Sequence, residues 1–243
     1  MKSIFSSGGA QEIGLAVAPK FLAEGWLVGI YAIHETSLSH PNLRSGFLDV
    51  TDPTSWDETL AEFASHTGGA IEVVDYNAGI IISGPLQEAP EAGVEKLICV
   101  NVGGVTLGAR AAHKYLARTP GAHLVNISSA SKFYVAGLTE ALNSEWHADD
   151  IRVVDVWPLW AKTDLASGVN SKSVKSLGMR LTPEQVADAV GKAVYPSSRW
   201  ARAKGHYGVA FADKVFYVAR SLAPDRVAKA LMPKYGPRLS LAK

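Results

Sequence analysis

Residues 2–14 read Lys-Ser-Ile-Phe-Ser-Ser-Gly-Gly-Ala-Gln-Glu-Ile-Gly, a short apolar run that ends in glycines and opens into a helical pattern. A strand, a glycine turn and a helix in this order are typical of a dinucleotide-binding fold. There the glycines permit a tight turn, close approach to a pyrophosphate, and packing of the helix on the strand. Gly8 and Gly14 match the outer two glycines. Glu12 stands at the middle position, four residues after Gly8, and puts a carboxylate where a phosphate would sit.

The size and composition of the chain limit the kinds of protein that it can be. A chain of 243 residues without a Pro/Gly/Ser-rich linker predicts one α/β domain, and a net charge of +1 gives no electrostatic reason to expect nucleic acid. The one cysteine, Cys99, excludes an internal disulfide and favours a cytoplasmic location. The histidines show no metal-ligand spacing, so no metal site is predicted. No apolar run reaches membrane-spanning length, and no signal-peptide core is recognised.

Apolar runs and helical patterns alternate along the chain. Strands are predicted at residues 26–32, 47–50, 71–76, 151–157 and 206–210, and another strand ends near Ser128. Helices are predicted at 53–67, with Asp52 as N-cap, and at 183–194, with Thr182 as N-cap. This alternation predicts an α/β fold with a doubly wound, Rossmann-like parallel sheet in a single domain that spans residues 1–243. From about residue 211 the chain forms a basic amphipathic C-terminal segment.

The end of the second predicted strand departs from the dinucleotide-binding pattern. An acidic residue is expected there to bind the adenosine ribose, but the position belongs to Ala32. No arginine follows to suggest a 2′-phosphate site, and His34 and Glu35 are expected to be solvated loop residues. The sequence therefore leaves NAD and NADP both open as the cofactor. Glu12 and Ala32 together predict weakened cofactor binding.

The chain resembles the short-chain dehydrogenase/reductase family from Lys2 to about Tyr207. The matching residues are Gly8, Gly14, Asp49, Val50, Asn77, Ala78, Gly79, Asn101, Asn126, Ile127, Ser128, Ser129, Ser131, Lys132, Pro158 and Thr163. Their order and spacing together make the resemblance specific. It implies a nicotinamide-dependent oxidoreductase that acts on an alcohol or carbonyl group of a small-molecule substrate, and a homo-oligomer formed through the helices that contain Asn101 and Lys132.

The resemblance also implies roles for individual residues. The cofactor-binding residues would be Gly8, Gln11, Ile13 and Gly14 in the glycine turn, Asp49 and Val50 at the adenine, Asn77, Ala78 and Gly79 at the ribose and pyrophosphate, Thr163 at the nicotinamide amide, and Lys132 at the nicotinamide ribose. Of the catalytic residues, Asn101 would hold a water in a proton relay and Ser129 would bind the substrate oxygen. Lys132 would lower the pKa of a catalytic tyrosine. Alternatively, Asn101 satisfies backbone groups at a helix irregularity, and Ser128 or Ser129 is a helix N-cap.

The catalytic tyrosine of that set is missing from this sequence. The family places it four residues before the lysine, one helical turn away, where the ammonium group lowers the phenol pKa. Four residues before Lys132 stands Ser128, and about a dozen residues between strand and helix are absent relative to the family. Tyr134 lies two residues after Lys132, on another face of the helix, and is expected to be a packing residue. Activity by the usual tyrosine route is therefore predicted to be impaired.

Three function classes remain open. The first is the oxidoreductase, and the second is a catalytically inactive relative that serves as a binding or assembly partner, or a chain shortened by a sequence error. The third rests on Ser129 and Lys132, which form a Ser-x-x-Lys pattern known from acyl-transfer enzymes but lack that class's companion motifs. The basic C-terminal segment either packs on its own domain or a partner subunit, which is favoured, or lies on an anionic membrane.

Overall fold

A seven-stranded parallel sheet forms the centre of the molecule. The computed structural model describes residues 1–82, 86–128, 133–158, 161–163 and 181–210. The strands run in the order β3-β2-β1-β4-β5-β6-β7, and each neighbouring pair is parallel. Their bounds are β1 Ser3–Ser7, β2 Leu27–Ala32, β3 Leu43–Phe47, β4 Val73–Tyr76, β5 His123–Ile127, β6 Arg152–Trp157 and β7 His206–Gly208. The order reverses between β1 and β4, so the prediction of a doubly wound sheet is confirmed.

Helices cover both faces of the sheet and bury its apolar side chains in two cores. The helices are α1 Glu12–Ala23, α2 Pro53–Ser65, α3 Glu91–Ile98, α4 Val105–Leu116, α5 Phe133–Glu145, α6 Pro183–Val194 and α7 Arg199–Arg202, with a π-helix at Cys99–Gly104 between α3 and α4. Helices α1 and α6 pack on one face, and α2, α4 and α5 pack on the other. The predicted N-caps are confirmed: Asp52 accepts from the Thr54 amide, and Thr182 forms a capping box with Gln185.

The third strand lies earlier in the chain than predicted. The apolar run at 47–50 predicted a strand, whereas β3 spans Leu43–Phe47. This strand is at the edge of the sheet and its last three residues are exposed, so it lacks the apolar pattern of a buried strand. Leu48 and Val50 are buried, but they lie in the turn before α2, where the Trp56 indole N–H donates to the Val50 carbonyl at 2.9 Å.

The helical stretch Glu91–Leu116 is longer than the sequence analysis expected. By length and composition it could cross a membrane, since its most apolar 18-residue window has a mean hydropathy of 1.2. Its second half is an ordinary core helix, because Ala109, Ala112 and Leu116 of α4 are buried against the sheet. No residue of α3 is buried, so the described part of the chain leaves the first half of the stretch partly exposed. The segment 211–243, including the predicted amphipathic segment, lies outside the described residues.

Candidate active site at the carboxyl edge of the sheet

The glycine turn after β1 is packed too tightly for any other residue. Gly8 has a φ of +65°, and its amide donates to the Tyr31 carbonyl at 2.7 Å. A Cβ atom at Gly8 would lie 2.7 Å from the Cα of Ala78, and one at Gly14 would lie 2.6 Å from the Cα of Gly9. Both contacts are closer than folded proteins tolerate, so the two glycines are required by the fold of the turn itself.

The turn after β4 closes over the glycine turn. The Asn77 side-chain amide donates to the Gly8 carbonyl at 2.9 Å, and Ala78 packs against Gly8. Strands β1 and β4 are neighbours in the sheet, so two segments nearly 70 residues apart in sequence meet at one edge. The structure thus brings together Gly8, Gly14, Asn77 and Ala78, four of the residues that the sequence assigned to the cofactor.

Glu12 occupies a backbone conformation that the sequence analysis did not anticipate. Its φ is +51°, in the left-handed region where glycine is at ease and a residue with a side chain is strained. This conformation explains why a glycine suits the middle position of the turn. Gln11, the N-cap residue of α1, makes no capping hydrogen bond with its side chain. The amino end of α1 therefore has the positive dipole and amide groups of an anion site, with a carboxylate on its first residue.

The residues that the sequence analysis assigned to the adenosine follow β2 and β3. Ala32 is buried at the end of β2, and in the register of the sheet it pairs with Phe47, whose side chain is 66% exposed. Asp49 accepts hydrogen bonds at one carboxylate oxygen from the Thr51 amide at 2.9 Å and from the Thr51 hydroxyl at 2.7 Å. Val50 packs against Gly104 of the π-helix. These contacts fix the turn that carries Asp49 and Val50 beside the glycine turn.

Asn101 uses both ends of its side-chain amide to hold the chain after β4. Its oxygen accepts from the Ile80 amide at 2.9 Å, and its nitrogen donates to the Ile80 carbonyl at 2.8 Å. Asn101 is buried and lies in the π-helix Cys99–Gly104, the kind of helix irregularity that frequently marks a functional site. Its side chain thus satisfies backbone groups, which was the structural alternative for this residue, and Gly79 immediately precedes the segment that it holds.

The ends of β5 and β6 lie beside the cofactor residues. Ser128 is buried, and its amide donates to the Val156 carbonyl of β6 at 2.9 Å. Pro158 follows β6, and Thr163 follows a short bridge between Ala161 and Leu181. Ser129 and Lys132, two of the three predicted catalytic residues, lie outside the described residues.

Tyr134, the phenol nearest to Lys132 in sequence, contacts α4. Its hydroxyl lies 2.9 Å from the Thr106 hydroxyl, and its side chain is 45% exposed. The position of Tyr134 near the start of α5 therefore orients its hydroxyl along the outer surface of two neighbouring helices.

Comparison with known proteins identifies the family. The model of the short chain dehydrogenase family matches residues 2–174. The chain belongs to the short-chain dehydrogenase/reductase family. It is 29% identical over 205 residues to a 3-alpha-(or 20-beta)-hydroxysteroid dehydrogenase of Mycobacterium bovis, covering 76% of this chain and 78% of that protein. It is 27% identical over 213 residues to a meso-2,3-butanediol dehydrogenase of Serratia marcescens, covering 76% of this chain and 84% of that protein.

The same fold is found among solved structures. A 3-ketoacyl-(acyl-carrier-protein) reductase from Brucella melitensis, complexed with NADH, superposes with a TM-score of 0.77 at 20% identity, and the match covers 86% of this chain and 96% of that one. As a short-chain dehydrogenase/reductase, the chain is of the oxidoreductase class that acts on hydroxyl and carbonyl groups, as the sequence predicted.

The described residues fit a nicotinamide dinucleotide in most respects. Gly8, Gly14 and Asn77 form the tight turn, and the amino end of α1 has no side-chain cap to compete with a phosphate. Glu12 opposes the fit, because its carboxylate shares the sign of a pyrophosphate, and Ala32 has no acidic group for the adenosine ribose. Among the described residues, no group of three or more metal-ligating side chains occurs.

Two buried polar clusters below the site were missed by the sequence analysis. In the first, the Ser6 hydroxyl of β1 donates to Asp75 of β4 at 2.8 Å, and burial raises the pKa of the Asp75 carboxyl to about 7. In the second, His206 of β7 places Nδ1 2.7 Å from Asp155 and Nε2 3.3 Å from Glu140 of α5. Hydrogen bonding to Asp155 raises the pKa of His206, and burial raises the pKa of Asp155. An acidic residue inside each otherwise apolar strand was the signal available in the sequence.

Proposed function

We propose that this chain binds NAD or NADP at the carboxyl edge of its sheet and that its alcohol or carbonyl oxidoreductase activity is impaired. Family membership and the tight packing of Gly8 and Gly14 against the turn after β4 support cofactor binding. The residues that would hold the cofactor are Gly8, Gln11, Ile13, Gly14, Asp49, Val50, Asn77, Ala78, Gly79, Lys132 and Thr163. When bound, the cofactor supplies or accepts a hydride.

The protein's own part in such chemistry is to exchange a proton with the substrate oxygen, and here the usual donor is absent. Ser128 stands where the tyrosine is expected, and it is buried at the end of β5 with its amide bonded to β6. An alcohol such as serine is a far weaker acid than a phenol. It is therefore unsuited to exchanging a proton with the substrate oxygen near neutral pH. The observation that carries the proposal is that the hydroxyl of Tyr134, the phenol nearest to Lys132 in sequence, pairs with the Thr106 hydroxyl on α4.

Asn101 and Ser129 keep supporting roles in this proposal. Because Ile80 occupies both ends of the Asn101 amide, any water that Asn101 holds binds to its backbone carbonyl, which the π-helix displaces from regular α-helical bonding. Ser129 would bind the substrate oxygen, and Lys132 would bind the nicotinamide ribose. The hydroxysteroid and diol dehydrogenases among its relatives suggest secondary alcohols and the corresponding ketones as substrates.

The test combines cofactor titration with a turnover screen. Nicotinamide fluorescence reports binding of NADH or NADPH, and absorbance reports turnover of secondary alcohols, vicinal diols and their ketones. We expect binding with little or no turnover, and Tyr134→Phe should behave like the wild type because its hydroxyl lies outside the site. Turnover at ordinary dehydrogenase rates that Tyr134→Phe abolishes would overturn the proposal, since Tyr134 would then be the acid.

Binding without turnover also describes the second candidate, an inactive relative that acts as a binding or assembly partner. We infer homo-oligomerisation through α3, α4 and α5, because α3 buries no residue in this chain and Ile98 at its end is 51% exposed. A groove of about 360 Å³ lies between α4 and α5, and it is lined by Thr106, Ala109, Arg110, His113, Leu138, Leu142, Glu145 and Trp146. This surface is adjacent to the exposed Tyr134 and suits a second copy of the chain.

Light scattering coupled to size exclusion tests this interface. A glutamate at an apolar interface must be desolvated on association, so Ile98→Glu should convert the oligomer to a monomer. Ile33→Glu is the matched control, because Ile33 is 60% exposed but follows β2, far from α3. A monomeric wild type, or an oligomer that Ile98→Glu leaves intact, would contradict the inferred interface. We infer a cytoplasmic location for the oligomer.

A further inference from the structure

The near-zero net charge of the chain conceals a strong asymmetry along the sequence. Residues 189–243 contain eleven lysines and arginines and only two acidic residues, Asp213 and Asp225. Residues 1–188 contain thirteen lysines and arginines against twenty-one acidic residues. The total of +1 therefore sums an acidic body and a basic C-terminal part, and the basic part has the electrostatic character that attracts anionic surfaces.

The described portion of this basic part presents an aromatic side chain surrounded by cations. Trp200 is 86% exposed, and Arg199, Arg202 and Lys204 around it are exposed as well. We call these four residues the Trp200 patch. Helix α7, which carries three of them, has no buried residue. Within residues 1–82, 86–128, 133–158, 161–163 and 181–210, no ion pair includes any of the three cations.

The Trp200 patch lies at the amino edge of the sheet, opposite the candidate active site. It immediately precedes β7, whose first residue pairs with Asp155 of β6 in a parallel register. Arg202 also approaches Gly121, which comes just before β5. Asp150, whose carbonyl accepts from the Gly121 amide, also brings its carboxylate close to Gly121. Because the glycine turn and Thr163 lie at the carboxyl edge, a partner bound at the patch leaves the cofactor site accessible.

We propose that the Trp200 patch docks the protein on an anionic lipid bilayer as a peripheral contact. An indole has an apolar body and one N–H donor, which suits the boundary between headgroups and acyl chains, and flanking cations attract acidic headgroups. At 86% exposure, Trp200 has no packing role within the described part of the chain. The sequence that follows continues the character of the patch, since Lys214 and Arg220 alternate with apolar Val215 and Val218.

A lipid surface fits these features better than a nucleic acid does. Sequence-tolerant binding of single-stranded nucleic acid uses several aromatic side chains along a basic groove, whereas the patch offers one aromatic residue on a four-residue helix. The charge asymmetry and the exposure of Trp200 therefore shift the balance between the two sequence-based alternatives towards membrane contact. The proposal does not depend on whether the chain is catalytically active.

Vesicle flotation with the full-length protein tests the proposal. The vesicles are phosphatidylcholine alone or phosphatidylcholine enriched in phosphatidylserine, each at low and high ionic strength. We expect flotation with the anionic vesicles at low salt, and release by salt. The double substitution Arg199→Ala/Lys204→Ala should lower the partition coefficient about 25-fold, at about fivefold per cation. Trp200→Ala should weaken binding and remove the vesicle-dependent blue shift of tryptophan emission.

The matched control is Lys2→Ala/Lys162→Ala, which removes two exposed cations outside both the Trp200 patch and the inferred interface of α3, α4 and α5 and should float like the wild type. All substituted side chains are exposed, and circular dichroism confirms that each variant is folded. Absence of flotation with anionic vesicles at low salt would overturn the proposal. So would equal loss of binding in the patch and control variants, flotation unchanged by both patch variants, or tighter binding to single-stranded RNA than to the vesicles.

Discussion

Glu12 offers a perturbation in which backbone strain and charge can be separated. Its φ of +51° is a left-handed conformation that costs a residue with a side chain about 1–2 kcal/mol. Its carboxylate at the amino end of α1 stabilises the folded state by about 0.3–1 kcal/mol, because it interacts favourably with the helix dipole. Glu12→Gln removes the charge and keeps the strain, whereas Glu12→Gly removes both. The free energy of unfolding should therefore differ between the two variants by about 1–2 kcal/mol, with glycine the more stable.

The two variants should differ from each other in melting temperature but should both gain cofactor affinity. In a chain of this length, about 1–2 kcal/mol corresponds to a melting temperature about 2–8 °C higher for Glu12→Gly than for Glu12→Gln. Cofactor affinity should rise in both variants. Two like charges about 5 Å apart repel by about 1–3 kcal/mol at the effective dielectric constant of a protein surface or of water, which is about 5- to 150-fold in Kd. Calorimetric titration with NADH and NADPH measures this change in cofactor affinity.

The matched control is Glu58→Gln, which removes an exposed carboxylate from α2, away from the glycine turn. It should leave both melting temperature and cofactor affinity unchanged. Equal cofactor affinities for the wild type, Glu12→Gln and Glu12→Gly would refute the electrostatic part of the reasoning. A melting temperature for Glu12→Gly at or below that of Glu12→Gln would refute the part that concerns backbone strain.

Three further predictions follow from the buried polar groups. The pKa of Asp75 is raised to about 7, so the folded state keeps a proton that the unfolded state loses near pH 4, and stability falls as the pH rises through this window. Asp75→Asn should flatten this pH dependence and be more stable than the wild type at pH 8 by about 4 kcal/mol. Urea titrations in which the free energy of unfolding changes with pH equally in both proteins would contradict this prediction. Asn101→Ala leaves the Ile80 amide and carbonyl unpaired and should lower the free energy of unfolding by about 2–4 kcal/mol. Chemical denaturation measures this loss, and a free energy of unfolding equal to that of the wild type would show that Asn101 does not hold the segment. His206→Ala leaves the Asp155 carboxylate buried without its imidazole and should cost about 3 kcal/mol at pH 7. The cost should fall as the pH is lowered, because burial raises the pKa of Asp155 and so favours its neutral form; an equal cost at pH 7 and pH 4 would argue against the pairing.

The fold was predictable because most of the sheet is buried on both faces. Strands such as β2 and β6 appear in the sequence as continuous apolar runs, and the caps Asp52 and Thr182 mark the starts of helices almost to the residue. The edge strand β3 was misplaced because its exposed residues carry no apolar signal. The resemblance implied a helix that contains Asn101 but gave it no bounds, and α3 in front of it has no residue that is buried in the described part of the chain.

The site was only partly accessible to sequence reasoning. The glycine turn and Asn77 were found because their chemistry depends on residue type, and the structure shows the packing that requires them. The left-handed backbone at Glu12 and the pairing of Asn101 with Ile80 are properties of the folded chain, which no spacing rule reveals. Asp155 and His206 lie 51 residues apart and meet only because β6 and β7 are neighbours in the sheet.

We propose that this chain keeps the cofactor site of a short-chain dehydrogenase/reductase but lacks a phenol that can donate a proton at the end of β5. The most direct measurement is a single-turnover experiment, in which NADH or NADPH bound to excess protein is mixed with a ketone and hydride transfer is followed by loss of nicotinamide fluorescence. We expect a fluorescent complex of the protein with NADH or NADPH, and hydride transfer no faster than in solution without the protein. Rapid hydride transfer, with a pH profile that reports a group titrating near neutrality, would contradict it.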